Sequence, residues 1–85
     1  MYGGKIMEKV KDIVIDIITE LIDDPTNLLV EEIKTTNTVV LNIKVDKNDL
    51  GKVIGKKGRI IGAMRTIVGS IYAKNGLKSI IEVSD

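Results

Sequence analysis

With 85 residues, the chain has room for one core. A domain this small hides only about 60–65% of the surface its unfolded chain exposes. Apolar residues make up 44% of it, and there is neither cysteine nor histidine; this removes disulfides, thiolate chemistry and the commonest general base and metal ligand. The net charge of +1 says nothing by itself about nucleic acid, so any electrostatic argument must rest on how the charges are distributed.

Residues 1–5 are expected to be disordered or foreign to the domain, which is otherwise read as a single unit over 1–85. The first periodic segment runs from about Ile6 to Ile22. Ile6, Val10, Ile13, Val14, Ile17, Ile18 and Leu21 fall on one helical face, opposite Glu8, Lys9, Asp12, Asp16, Thr19 and Glu20. Asp23-Asp24-Pro25 ends the helix, because proline disfavours helix at the residue before it. Ile15 and Ile22 widen the apolar arc beyond one core contact and hint at a second.

Two strands follow. Leu28 to Thr35 is the less regular, whereas Val39, Leu41, Ile43 and Val45 alternate cleanly with Val40, Asn42 and Lys44. Thr36-Asn37 between them suits a hairpin turn, since Asn tolerates a left-handed backbone. Asp46 can then cap a short helix with Asp49 in its first turn and an apolar edge of Leu50, Val53 and Ile54. Gly55-Lys56-Lys57-Gly58 interrupts that helix. A longer one resumes near Arg59, expected to bury Ile60, Ile61, Met64, Ile67, Val68, Ile71 and Tyr72, and Asn75-Gly76 is a left-handed C-cap signal. The last strand, Leu77 to Val83, points Leu77, Ser79, Ile81 and Val83 one way. A crossover through two helices makes the middle and last strands parallel. The expected fold is α+β, in the order helix-strand-strand-helix-helix-strand: a three-stranded mixed sheet with three helices on one face.

Charge is segregated along this order. No Asp or Glu lies between Leu50 and Ile81, a stretch holding Lys52, Lys56, Lys57, Arg59, Arg65, Lys74 and Lys78; residues 1–49 carry ten acidic and six basic groups. A positive segment beside an acidic remainder makes a local field that attracts polyanions at near-zero net charge.

The informative stretch is Leu50-Gly51-Lys52-Val53-Ile54-Gly55-Lys56-Lys57-Gly58-Arg59-Ile60-Ile61. Two glycines at i and i+3 separate two amphipathic helical segments. Glycine permits a tight backbone and removes the Cβ that would hold another chain away. The second helix begins with unpaired N–H groups aimed at the loop, which attract phosphate. Lys56 and Lys57 at the tip cannot bury their ammonium groups cheaply. These features suit a sugar-phosphate clamp; on a bare G-x-x-G, a plain helix corner with solvated lysines would be the better explanation.

The flanks, however, reproduce V-I-G-x-x-G-x-x-I in Val53-Ile54, the loop and Ile61. Together with Leu21-Ile22-Asp23-Asp24-Pro25, Val39-Val40-Leu41 and Asp49-Leu50-Gly51-Lys52, they make the chain resemble KH domains over nearly its whole length, specifically the small bacterial KhpA family of stand-alone RNA-binding proteins. The helix-first order matches the type II KH arrangement. The resemblance implies a groove gripping about four nucleotides of single-stranded RNA, with Gly55, Lys56, Lys57 and Gly58 on the phosphates. Gly51, Ile54 and Ile61 would form the apolar floor, Lys52, Arg59 and Arg65 would add charge, and Asn42 or Lys44 would reach from the strand side. It also implies an RNA chaperone or post-transcriptional regulator in the cytoplasm, pairing as a homodimer or as a heterodimer with a KhpB (Jag/EloR)-type protein. Two tyrosines are the only aromatic residues, too few for the stacking platform of an RRM or OB-fold.

Other chemistry fits poorly. Three residues, not four, separate Gly51 from Gly55, and Lys56 is followed by Lys57 instead of Ser or Thr, so a phosphate-binding P-loop fails; Val53 spoils a dinucleotide fingerprint. Asp23-Asp24 and Glu31-Glu32 read as a helix exit and a strand edge. No enzyme activity, cofactor or metal is expected, and no apolar run approaches the roughly 20 residues of a membrane span. The small residues Gly62, Thr66, Gly69 and Ala73 line one side of the last helix and suit either internal packing or self-association. A protein-docking module and a single-stranded DNA binder are the alternative readings.

Overall fold

The computed structural model describes residues 2–85, with side chains described from Lys9 onward. Helix α1 (Tyr2–Leu21) is followed by strands β1 (Leu29–Lys34) and β2 (Thr38–Lys44), helices α2 (Leu50–Ile54) and α3 (Arg59–Lys74), and strand β3 (Lys78–Ser84). Short 3₁₀ turns stand at Pro25–Asn27, Lys47–Asp49 and Lys56–Gly58. Strand order is β1-β2-β3, antiparallel for the first pair and parallel for the second. The helices cover one face, so the architecture is the expected α+β layer with a mixed three-stranded sheet.

Val39, Leu41, Ile43 and Val45 of the central strand region are all buried, and they meet Val10, Val14 and Ile18 from α1, Ile22 just past its end, and Ile61, Met64, Val68 and Tyr72 from α3. Helix α1 includes Tyr2–Lys5, four of the five residues expected to be disordered or foreign to the domain. Its buried stripe is narrower than the periodicity suggests: Ile13 and Ile17, expected in the core, are exposed, Leu21 is half-buried, and Ile6 lies outside the described side chains. Ile22, assigned to the surplus of the arc, is core instead. On α3 likewise, Ile67 is 58% exposed, and Ile60 and Ile71 are half-buried. A helix lying on a sheet buries only the arc that faces it, and an apolar arc wider than that remains at the surface.

The chain reversals have identifiable causes. Asp24 accepts from the backbone N–H of Thr26 at 3.1 Å and starts the turn that holds Pro25. The hairpin at Thr36-Asn37 forms, closed by Thr35 N–H donating to Thr38 O at 2.9 Å, but not through a left-handed Asn37; Lys57 is the only non-glycine residue with positive φ among the described residues. The Asn37 carbonyl instead accepts from Lys78 N–H at 2.8 Å, tying the hairpin to the start of β3. Helix α3 ends in a Schellman arrangement, with Leu77 N–H on Tyr72 O and Gly76 N–H on Ala73 O, each at 3.0 Å. Under that end the Tyr72 hydroxyl and Glu32 Oε2 are buried without hydrogen-bond partners among the described residues; burial, reinforced by the Glu32 carboxylate, pushes the phenol up to about 12.

Candidate nucleic-acid interface

The corner between α2 and α3 is built from glycine geometry. The Gly55 N–H closes α2 on Gly51 O at 2.9 Å, and its own carbonyl accepts from Gly58 N–H at 3.0 Å. At φ 79° and ψ 169° the Gly55 backbone is in a region nearly closed to other residues. A Cβ there would lie 2.6 Å from Cγ1 of Ile60, so the α3 side chain packs directly against the turn. Gly58, at φ 72°, is left-handed too, but a Cβ on it would meet nothing within 4 Å. Lys57 between them is held at φ 58°.

This winding leaves the loop open to an approaching anion. The backbone N–H groups of Lys56 and Lys57 have no backbone acceptor, and both side chains are exposed. Among the described residues the only ion pairs are those of Lys52, so the two loop ammoniums are unpaired. The 16-residue helix α3 starts immediately behind the loop, adding the partial positive charge of a helix N-terminus.

The other residues expected at the site divide. Gly51 is exposed, with free space where a Cβ would stand, and Ile54 is half-buried beside the loop. Arg59 is exposed at the first turn of α3. Lys52 is not available as expected: its ammonium bonds Asp23, and Asp49 at 3.3 Å. These carboxylates, Asp23 first, hold its pKa above the usual lysine value. The Arg65 guanidinium is engaged as well, donating to Ile81 O from Nη2 at 3.1 Å and from Nε at 3.4 Å. Ile61 belongs to the core at 6% exposure, which argues against its being the floor of a groove. Asn42 and Lys44 alternate with the buried Leu41 and Ile43, so they point to the sheet face away from the helices and away from the loop.

Sequence reasoning placed Asp49 in the first turn of the short helix but missed what its carboxylate holds. The residue is 2% exposed, and its two carboxylate oxygens accept from the backbone N–H groups of Asp23 and Asp24, each at 3.2 Å. These bonds, that from Asp23 foremost, hold its carboxyl below the usual carboxylate range against the opposing effect of burial. Asp49 therefore clasps the exit of α1 to the start of α2, with Lys52 closing the clasp from outside. The Asp49-x-x-Lys52 spacing on a short helix next to an acidic helix exit was the available signal.

A helix-first α+β layer whose two crossover helices meet at a glycine-bounded, cationic turn defines a KH-type domain. Residues 11–83 match the sequence profile described as KhpA/KhpB, KH domain. The chain belongs to that family. It is 44% identical to the RNA-binding protein KhpA of Aquifex aeolicus, covering 91% of this chain and 98% of that one. It is 37% identical to the RNA-binding protein KhpA of Chlamydia caviae, over 88% of this chain and 96% of the relative, and 38% identical to that of Clostridium perfringens, over 86% and 97%. No solved structure matches the chain.

Proposed function

We propose that this protein binds single-stranded RNA by gripping its sugar-phosphate backbone at Gly55-Lys56-Lys57-Gly58, and that it acts as an RNA chaperone or post-transcriptional regulator in the cytoplasm without enzymatic activity. The observation that carries this reading is the loop itself: two unpaired backbone N–H groups and two unpaired ammoniums on one exposed turn, at the start of a long helix. The names of the relatives supply the ligand class. Gly51 and Ile54 would lie under the first bases, and Arg59 would add charge at the helix start. Arg65 and Lys52 would serve as braces, because each is already committed to the protein's own carbonyl or carboxylates.

The same reading includes pairing, either with a second copy or with a KhpB (Jag/EloR)-type protein. Its support is the aliphatic strip on which Ile13 and Ile17 of α1 face Ile60, Ala63, Ile67 and Ile71 of α3. The small-residue stripe is a poorer candidate. A Cβ on Gly69 would lie 3.5 Å from Ser79 Oγ, so that position faces β3.

Fluorescence anisotropy with a short unstructured RNA, and with its DNA counterpart, tests the proposal. The Lys56→Asp/Lys57→Asp double variant should fold normally and lose at least about tenfold in RNA affinity, while Lys52→Ala should cost far less. Unchanged RNA binding in the double variant would sink the clamp and favour a protein-docking module. Equal or tighter binding of the DNA strand would reassign the ligand.

A further inference from the structure

The sheet face opposite the helices is uncovered, and its side chains form rows across the three strands. Ile33, Val40 and Ile80 are in register, and Ile33 and Ile80 are 51% and 48% exposed. Two residues further along each strand, in the direction from Lys78 to Ser84, lies the row Glu31, Asn42 and Glu82. On the other side of the apolar row, Lys78 stands opposite Thr38. None of Glu31, Glu82 or Lys78 has an ion-pair partner among the described residues.

We propose that this face pairs with the same face of a second copy. A twofold axis running across the strands along the Ile33–Val40–Ile80 row lays apolar row on apolar row. It exchanges the rows on either side, so Lys78 of each copy comes over Glu82 of the other, giving two symmetric ion pairs from one geometry. The other twofold axis lying in the sheet plane along the strands puts Glu31 over Glu82, acid on acid. The charges therefore select one stacking out of the two. Two strands of seven residues and one of six present a face of about 14 Å by about 23 Å. That is roughly 300 Å² per copy, below the area of stable complexes, so the pairing is weak, with a dissociation constant on the order of 100 µM. It is also separate from the aliphatic strip on α1 and α3, which lies on the helix side of the molecule.

Sedimentation equilibrium from micromolar to millimolar chain tests this in the Ile67→Glu background, which removes the helix-side strip from the measurement. The Ile67→Glu protein should still associate to dimers at the upper end of that range, and Ile80→Lys added to it should leave monomers. Lys78→Glu or Glu82→Lys alone turns two attractive contacts into repulsive ones and should weaken the dimer by about five- to thirtyfold. The Lys78→Glu/Glu82→Lys combination restores complementarity with the signs exchanged and should recover most of that loss, with circular dichroism confirming the fold of each. An Ile67→Glu protein that stays monomeric at millimolar concentration overturns the proposal. So does a double reversal no tighter than the weaker single variant. Both results leave the reading of the RNA loop untouched.

Discussion

A methyl group at Gly55 would meet Ile60 Cγ1 at 2.6 Å and Cβ at 2.8 Å, on a backbone conformation that L side chains avoid. At Gly58 the backbone is equally left-handed but the surrounding space is empty. The two glycines of the loop therefore do different work: Gly55 makes the turn possible, and Gly58 keeps its outer side bare. Gly58→Ala should cost about 1 kcal/mol, the price of a left-handed alanine, and weaken RNA binding. Gly55→Ala should cost about 3 kcal/mol or more, because steric overlap with a packed isoleucine adds to the backbone strain. Urea unfolding of the two variants checks the order. Equal losses would mean that Ile60 swings aside without cost. Lys57 accepts the same left-handed strain without being glycine, which fits a position where a charged side chain is worth more than a relaxed backbone.

At the scale of elements, the Asp49 clasp fixes where α2 begins relative to the end of α1, and so where the loop after α2 is held. Because the folded state depresses the Asp49 pKa, its contribution to stability is complete above the ordinary value of 3.8 and is lost as pH falls through the lower folded value. Asp49→Asn should therefore be less stable than the parent at neutral pH, with the difference shrinking below about pH 4; a pH series of urea midpoints measures it. The clasp was illegible beforehand because it joins side-chain oxygens to backbone N–H groups 25 and 26 residues away, and no local periodicity records such a contact. The elements themselves were legible, since each keeps its own period: β2 alternates over Val39 to Val45, and α1 repeats Val10, Val14 and Ile18. What misled was arc width. Ile13, Ile17 and Ile67 satisfy helical spacing as well as any core residue does, and only the position of the sheet decides that they stay outside. The loop lysines were readable because exposed charge on a glycine-bounded turn needs no tertiary information, whereas Lys52 and Arg65 looked equally free and are tied by contacts at 29 and 16 residues' separation.

Across the whole molecule, charge and apolar surface are sorted into different regions. The acid-free stretch from Leu50 to Ile81 carries the loop, and ten of the twelve carboxylates belong to residues 1–49. A grip on about three phosphates releases that many counterions' worth of screening, so log affinity for RNA should fall with log salt at a slope near −2. A slope near zero would mean that the lysines do not touch phosphate. A grip on so few nucleotides would be weak, and the proposed pairing through the exposed strip of Ile13, Ile17 and Ile67 would offset this: a pair of domains turns the second contact on the same strand into an intramolecular one. On the proposed pairing of two copies, Ile67→Glu should halve the sedimenting mass at micromolar chain, since a carboxylate is costly to bury in an aliphatic seam. It should reduce affinity for an RNA long enough to reach both loops by about tenfold or more, and leave affinity for a four-nucleotide strand unchanged. That contrast separates pairing from grip, because damage to the loop itself would weaken both strands alike.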